Sequence, residues 1–304
     1  MEKTFTKKRN ILIISLICTA LWGSAFPALK ISYERLALEI TDIYSRIYLA
    51  GIRFFLASVL VFLYGKFIFK VDISVRKESI KPIILLGLLQ TSLQYFFFYI
   101  GIANTTGIKS AIIQASGTFF VVIAAHFLYS DDKINKRKII SLILGFVGVL
   151  VVNMNKGFDL NFEFIGEGFL LISALVSAIA TIYVKDISGR INSILLTGGQ
   201  MFSGSLLLLL VGKIGMKGSN LIFDGLSLML LLYTAFLSAT AFVLWYILLK
   251  YNKAGEVSIY RLFIPIFGSI LSAIFIKNEA FTLNIVIGLI LVILGIFVLN
   301  LKRE

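Results

Sequence analysis

Two long apolar segments separated by a short polar loop fill the stretch from Ala254 to Asn300. Each segment is long enough to cross the ~30 Å hydrocarbon core of a bilayer as a helix. In water the pair would expose a large apolar surface, whereas in lipid a helix satisfies all of its backbone polar groups internally. The stretch therefore predicts two membrane-spanning helices.

The same arrangement occurs once earlier in the chain, about 150 residues upstream. Gly107 aligns with Gly255 at the start of the first apolar segment, and Gly148 aligns with Gly295 near the end of the second. Similarity at a fixed spacing is the mark of an internal repeat. The chain is therefore interpreted as a tandem duplication.

Composition places the whole chain in the membrane. Hydrophobic residues make up 59% of the sequence and the mean hydropathy is +0.95, well outside the range of soluble domains. The net charge of +13 comes from basic residues in short loops, so it indicates membrane topology and not a nucleic-acid partner. The expected partners are the lipid bilayer and a small-molecule solute, in a monomer or a homodimer.

The fold class expected is an all-α polytopic membrane protein with ten transmembrane helices. Every apolar segment is of spanning length, and the fifth is the shortest. The predicted spans are Ile11–Leu29, Ile47–Phe69, Pro82–Ala103, Gly107–Tyr129, Ile139–Asn153, Gly166–Lys185, Ile194–Ile214, Leu226–Tyr251, Val257–Ile276 and Ile285–Leu301.

Loop charges predict the orientation of these spans. One set of alternate loops carries nineteen Lys and Arg residues and the other carries eight, which places both termini in the cytoplasm. Each half, 1–155 and 156–304, holds five spans, so the second half enters the membrane from the opposite side. Inverted repeats are typical of transporters that open alternately to each side, with the solute bound between the repeats. A duplicated membrane scaffold without transport is the alternative.

Several residues together resemble the EamA family of the drug/metabolite transporter superfamily. They are the run Trp22 to Pro27 in the first span, Arg53 followed by Phe54 in the second, Pro265 in the ninth and Gly295 in the tenth. The resemblance covers the whole chain and implies a bacterial inner-membrane exporter or facilitator of amino acids, other metabolites or drugs. Relatives in the superfamily include nucleotide-sugar and sugar-phosphate carriers.

Four residues are expected to shape helices or gates. Pro27 and Pro265 lack the backbone N–H that a helix interior uses, so they predict kinks. The resemblance implies a proline in the first repeat at the position that aligns with Pro265. This sequence has Gly117 there, which departs from the family pattern. Arg53 is expected either to stabilise an outer gate or to extend its side chain toward the headgroups.

Arg261 is the sharpest candidate for contact with a solute. It lies about one turn inside the ninth span, where a charged side chain is costly unless it faces a cavity or a partner. A carboxylate or phosphate on the solute would satisfy it. The alternatives are pairing with Glu256 or extension toward the cytoplasmic headgroups.

The other expected substrate-binding residues are amides and aromatic side chains. The amides could bind a zwitterion or simply join helices, and aromatic residues near span ends often anchor a helix at the interface. The candidates are Trp22, Gln90, Gln94, Tyr99, Gln114 and Trp245.

The sequence as a whole predicts a transporter of a small organic metabolite, most simply an amino acid, that works by alternating access. No metal or other cofactor is implied, and no Gly-rich phosphate loop is present to bind ATP. A membrane-embedded lipid-modifying enzyme is the rival, but it would need clustered His, Asp or Glu, and the chain has one histidine. With no carboxylate deep in a span, facilitated diffusion or weak coupling is favoured over proton antiport.

Overall fold

The computed structural model describes residues 2–39, 41–154, 162–217, 220–277 and 280–301. A single helical turn at Glu2–Phe5 precedes ten long helices. They are α1 Lys8–Arg35, α2 Ile43–Ile68, α3 Lys77–Ala103, α4 Gly107–Leu128, α5 Lys136–Asn153, α6 Phe164–Ile187, α7 Ser193–Gly215, α8 Gly225–Tyr251, α9 Ala254–Phe275 and α10 Leu283–Asn300. Every regular element in these ranges is helical, which confirms the all-α class.

Nine of the ten helices are long and apolar enough to cross a membrane, within the part of the chain that the structure describes. The exception is α5, which begins with Lys136, Arg137 and Lys138 and is 18 residues long. Its apolar part, from Ile139 onward, coincides with the shortest predicted span. The total of ten spans therefore stays a prediction.

The helices extend beyond the predicted spans at several ends because polar residues continue the same helical turns. Helix α1 runs on to Arg35 and passes through Pro27 without interruption. Asp224 and Ser227 form a capping box at the start of α8, where each side chain accepts a hydrogen bond from the other residue's backbone N–H at 2.7 and 2.8 Å.

Helices α2 and α7, one from each half, pack closely against each other. A methyl group at Gly51 would lie 2.8 Å from the Leu209 backbone nitrogen, and one at Gly212 would lie 2.6 Å from the Tyr48 nitrogen. Residue numbers rise along one helix as they fall along the other, so the pair is antiparallel. Small residues let two backbones approach in this way inside a membrane.

Helices α5 and α10 form a second antiparallel pair of the same kind. A methyl group at Gly148 would lie 2.8 Å from the carbonyl oxygen of Gly288, and one at Gly295 would lie 2.9 Å from the carbonyl oxygen of Ser141. Gly148 and Gly295 are the residues that align in the two repeats. The repeated glycines therefore serve the same packing role in both halves.

The remaining helix pairings follow the same symmetry. Helix α1 packs against α8 and α9, while α6, five places later, packs against α3 and α4. The Lys8 ammonium donates to the Asn300 carbonyl at 3.3 Å, so the start of α1 lies beside the end of α10. The predicted boundary between residues 155 and 156 lies outside the described residues, and the two-repeat division stays a prediction.

Replacing Gly212 with alanine is expected to destabilise the protein by about 1–3 kcal/mol, because the new methyl group would overlap backbone atoms of Tyr48 that cannot move aside. Gly225→Ala is the matched control, since a methyl group there meets nothing within 4 Å. The midpoint of thermal unfolding in detergent measures the effect. Equal midpoints for the two variants would show that α2 and α7 do not approach so closely.

Candidate functional site

Arg53 lies near the middle of α2 and is 3% exposed. Its guanidinium carbon is 4.4 Å from the ring centre of Phe54 and 5.5 Å from that of Tyr95. Its Nε atom has no hydrogen-bond partner among the described residues. Contacts with aromatic faces partly offset the cost of a buried cation, but they leave hydrogen-bond donors of the guanidinium unused.

Arg261 lies where α9 changes its geometry. A single 3-10 turn at Tyr260–Leu262 interrupts the α-helix, and Pro265, four residues after Arg261, has no N–H to bond the Arg261 carbonyl. The guanidinium donates to the Ser177 hydroxyl of α6 at 3.3 Å. The described part of the chain shows no ion pair between Arg261 and Glu256, so the side chain turns into the bundle and bonds α6.

Tyr95 on α3 interacts electrostatically with both Arg53 and Arg261. The ring of Tyr99, one turn further on, lies 6.2 Å from the Tyr95 ring, and Tyr99 also interacts with Arg53. Tyr99 was expected from the sequence and Tyr95 was not, although its position four residues before Tyr99 places it on the same helical face.

Helix α3 widens into a π turn over Leu88–Leu93, just before Tyr95. Such turns are frequent at functional sites. The Gln90 amide donates to the Gln94 amide oxygen, so in this state the two predicted amides satisfy each other. Thr91 in the same turn donates to Gln200 Oε1 at 2.5 Å on α7.

Three polar residues of the site form hydrogen bonds to one face of α6. The Ser173 hydroxyl donates to the Gln94 carbonyl at 2.9 Å, and the Gln114 amide donates to the Leu170 carbonyl at 3.4 Å. With Ser177, which accepts from Arg261, these positions are three and four residues apart and lie on one side of the helix. Helix α6 therefore places Gln94, Gln114 and Arg261 along a line of about 10 Å.

An aromatic cluster connects α1 and α8. The Trp22 ring lies 5.2 Å, edge to face, from both Phe242 and Trp245, and the Phe242 ring lies 5.9 Å from Tyr246. Tyr246 is 1% exposed, its hydroxyl has no hydrogen-bond partner among the described residues, and it interacts with Tyr95. The predicted pair of Trp22 and Trp245 thus adjoins the two arginines through the tyrosines.

The residues predicted to bend helices have different surroundings. Pro27 is buried inside α1, which continues as one helix. Gly117 lies within an unbroken α4, and a methyl group there would meet Ala174 of α6 at an ordinary 3.4–3.8 Å. Of these positions, only Pro265 adjoins a change of helix type.

A narrow cleft reaches Arg53 from the end of the bundle opposite to Lys8 and Asn300. Its cavity volume is about 10 Å³, which is room for about one water molecule. Its lining comes from the end of α1, the first half of α2 and the start of α8, and consists of Leu29, Ser32, Leu49, Ala50, Arg53, Ser227, Leu231 and Thr234. As the structure has it, the cleft is too narrow for an organic solute.

Two buried ion pairs lie toward the helix ends. Lys138 at the start of α5 bonds the Asp132 carboxylate, and that carboxylate accepts from the Gly255 backbone N–H of α9 at 2.7 Å. Lys109 at the start of α4 bonds the Glu167 carboxylate of α6 at 3.0 Å. Each pair holds helices of opposite halves together at one end of the bundle.

Taken together, a bundle of apolar helices with charged and amide groups at its centre defines a multi-pass membrane transporter. Two stretches of the chain, residues 9–154 and 164–301, match the model of the EamA-like transporter family. The matches cover most of the chain, one in each predicted half. The chain belongs to the EamA-like transporter family.

Similar proteins agree with this assignment. An uncharacterised transporter of Archaeoglobus fulgidus is 27% identical over 297 residues, which are 96% of this chain and 99% of that protein. The uncharacterised transporter YvbV of Bacillus subtilis is 28% identical over 304 residues, 99% of this chain and 95% of that protein. A crystal structure with 13% identity superposes with a TM-score of 0.79 over 97% of both chains and shares the fold. The protein is a transporter and not a lipid-modifying enzyme.

Proposed function

We propose that this transporter moves a small organic metabolite that carries a carboxylate, such as an amino acid, and moves it outward. The observation that carries this proposal is that Arg53 of α2 and Arg261 of α9, one from each half, both interact with Tyr95, whose ring centre lies 5.5 Å from the Arg53 guanidinium carbon. Planar guanidiniums match the geometry of a carboxylate and bind it with two parallel hydrogen bonds. The proposed binding residues are Trp22, Gln90, Gln94, Tyr99, Gln114, Trp245 and Arg261.

The proposed mechanism is alternating access between two inverted halves. The antiparallel pairing of α2 with α7 and of α5 with α10 supports it, because equivalent helices of inverted repeats run in opposite directions. Lys8 beside Asn300 supports both termini on one side, which the loop charges place in the cytoplasm of a bacterial inner membrane. Pro27, Gly117 and Pro265 are the proposed hinge positions, and Arg53 is proposed to contact the solute as well as to act as a gate.

We propose that His126 takes no part in proton coupling. Its Nδ1 atom accepts the Ile134 backbone N–H at 3.0 Å, and its carbonyl accepts from the Lys133 ammonium at 2.7 Å. These bonds give His126 a structural role in the turn between α4 and α5. Transport then proceeds down the gradient of the solute.

Reconstitution of the purified protein into proteoliposomes tests the proposed function. Labelled amino acids and organic acids are expected to equilibrate across these vesicles faster than across protein-free vesicles of the same lipid. The rate should not change when a pH gradient is imposed or removed. If no carboxylate-bearing solute crossed faster, with the protein folded and correctly inserted, the proposal would be wrong.

A further inference from the structure

We infer that the solute carries a net negative charge with two carboxylates, as in a dicarboxylate or an acidic amino acid, and that a neutral zwitterion is a poor substrate. This inference rests on the proposed function and narrows its substrate class. It comes from the balance of charges around Tyr95 and from the polar atoms there that lack partners.

Among the described residues, the centre of the site holds two cations, Arg53 and Arg261, and no ion pair to either is recorded. The groups that interact electrostatically with Arg53 and Arg261 are tyrosines. The ion pairs recorded within the described ranges lie elsewhere: Arg35 with Asp224, Lys109 with Glu167 and Lys138 with Asp132. Neutral hydroxyls solvate a guanidinium without cancelling its charge, so the missing negative charge has to come from the solute.

The hydrogen-bond donors of the site also favour a solute with two carboxylates. A guanidinium has five N–H donors and no acceptor. Within the part of the chain that the structure describes, Arg53 Nε and the Tyr246 hydroxyl are buried without a partner, and the recorded side-chain bond of Arg261 goes to the Ser177 hydroxyl. One carboxylate can accept from Arg53 Nε and the Tyr246 hydroxyl, and a second can accept from the remaining donors of Arg261.

A zwitterion fits this site less well. Its single carboxylate neutralises one guanidinium, and its ammonium adds a new positive charge near the other. The aromatic faces of Trp22 and Tyr246 can raise the binding of a desolvated ammonium by about 30-fold, whereas repulsion between like charges about 6 Å apart in a partly buried site lowers binding by about 100-fold. Repulsion therefore outweighs attraction, and a second carboxylate in place of the ammonium reverses the balance.

Glutamate and glutamine provide a matched pair of probes, because they have nearly the same size and differ by one unit of charge. With the wild-type protein in proteoliposomes at pH 7, labelled glutamate and succinate are expected to cross at least about 10-fold more efficiently than labelled glutamine. Unlabelled succinate should compete with glutamate. Equal efficiency for glutamate and glutamine would overturn the inference while leaving the proposed function in place.

Variants of Arg53 test whether this residue makes transport depend on the charge of the solute. Arg53→Gln is expected to bring the glutamate-to-glutamine ratio to within about threefold of unity, and Arg53→Lys to keep most of the preference. Arg190→Gln, at an exposed position far from the site, is the control and should keep the wild-type ratio. If Arg53→Gln does not fold, the wild-type comparison alone decides the inference. Flux of sugar phosphates but of none of the three carboxylate probes would overturn both the inference and the proposed function.

Discussion

Replacing Arg261 with alanine is expected to lower transport of a carboxylate-bearing solute by at least about 100-fold, because a partly buried, charged hydrogen-bond partner is removed from inside the bundle. Expression and folding should remain near normal, since the bond that the protein itself loses is one hydrogen bond to the Ser177 hydroxyl. Flux of the labelled solute into proteoliposomes measures transport, and the thermal midpoint in detergent measures folding.

Arg261→Lys and Arg190→Ala are the controls for this experiment. Lysine keeps the positive charge but cannot bind a carboxylate with two parallel bonds, so partial activity is expected. Arg190 is exposed, and its loss should leave flux unchanged. Unchanged flux in Arg261→Ala would remove this residue from the solute site and leave it as a purely structural bond to α6.

Replacing Lys138 with methionine is expected to produce the largest loss of stability. Lys138 and Asp132 are each 1% exposed, and Lys138 also donates to the carbonyls of Asp132 and Lys133 at 2.9 and 3.0 Å. Without the ammonium the Asp132 carboxylate is buried with no counter-charge, which costs about 3–5 kcal/mol. A drop in the thermal midpoint in detergent on the order of 10 °C is the expected measurement.

Two further variants isolate the cause of that loss. Lys136→Met, two residues earlier on the same helix and exposed, should melt like the wild type. Combining Lys138→Met with Asp132→Asn should recover part of the stability, because the charge is gone while an amide oxygen can still accept from the Gly255 N–H. A double variant no more stable than Lys138→Met would show that the unpaired charge is not what destabilises the protein.

The sequence predicted the helical architecture well because apolar segments of spanning length have few alternatives in a membrane. Local changes of helix type were not predicted. The π turn at Leu88–Leu93 follows from tertiary contacts such as the Thr91 bond to Gln200, which join residues more than a hundred positions apart. Pro27 lies inside α1, which the structure gives as one continuous helix, and the kink expected there stays a prediction.

The candidate site could be predicted residue by residue but not as an assembly. Arg261 was identified because a charged side chain inside an apolar span is costly unless it has a partner or a function. Its partner, Ser177 of α6, was not predicted, because the sequence does not show which helices are neighbours. Arg53 was expected at a gate, and in the structure it shares Tyr95 with Arg261. Tyr95 itself lies in an aromatic run, Tyr95 to Tyr99, where composition cannot show which ring faces inward.

The pairing of α2 with α7 and of α5 with α10 also determines when this protein can mature during its synthesis. In each pair the partners are separated by roughly 150 residues, which a ribosome takes about 10 s or more to add. Until α7 is inserted, the surface of α2 that carries its glycines faces lipid. Helix α5 likewise has no packing partner until α10 is inserted. The first five helices therefore enter the bilayer before the partners of α2 and α5 are present. The packing of the bundle is completed only when α10 has entered the membrane.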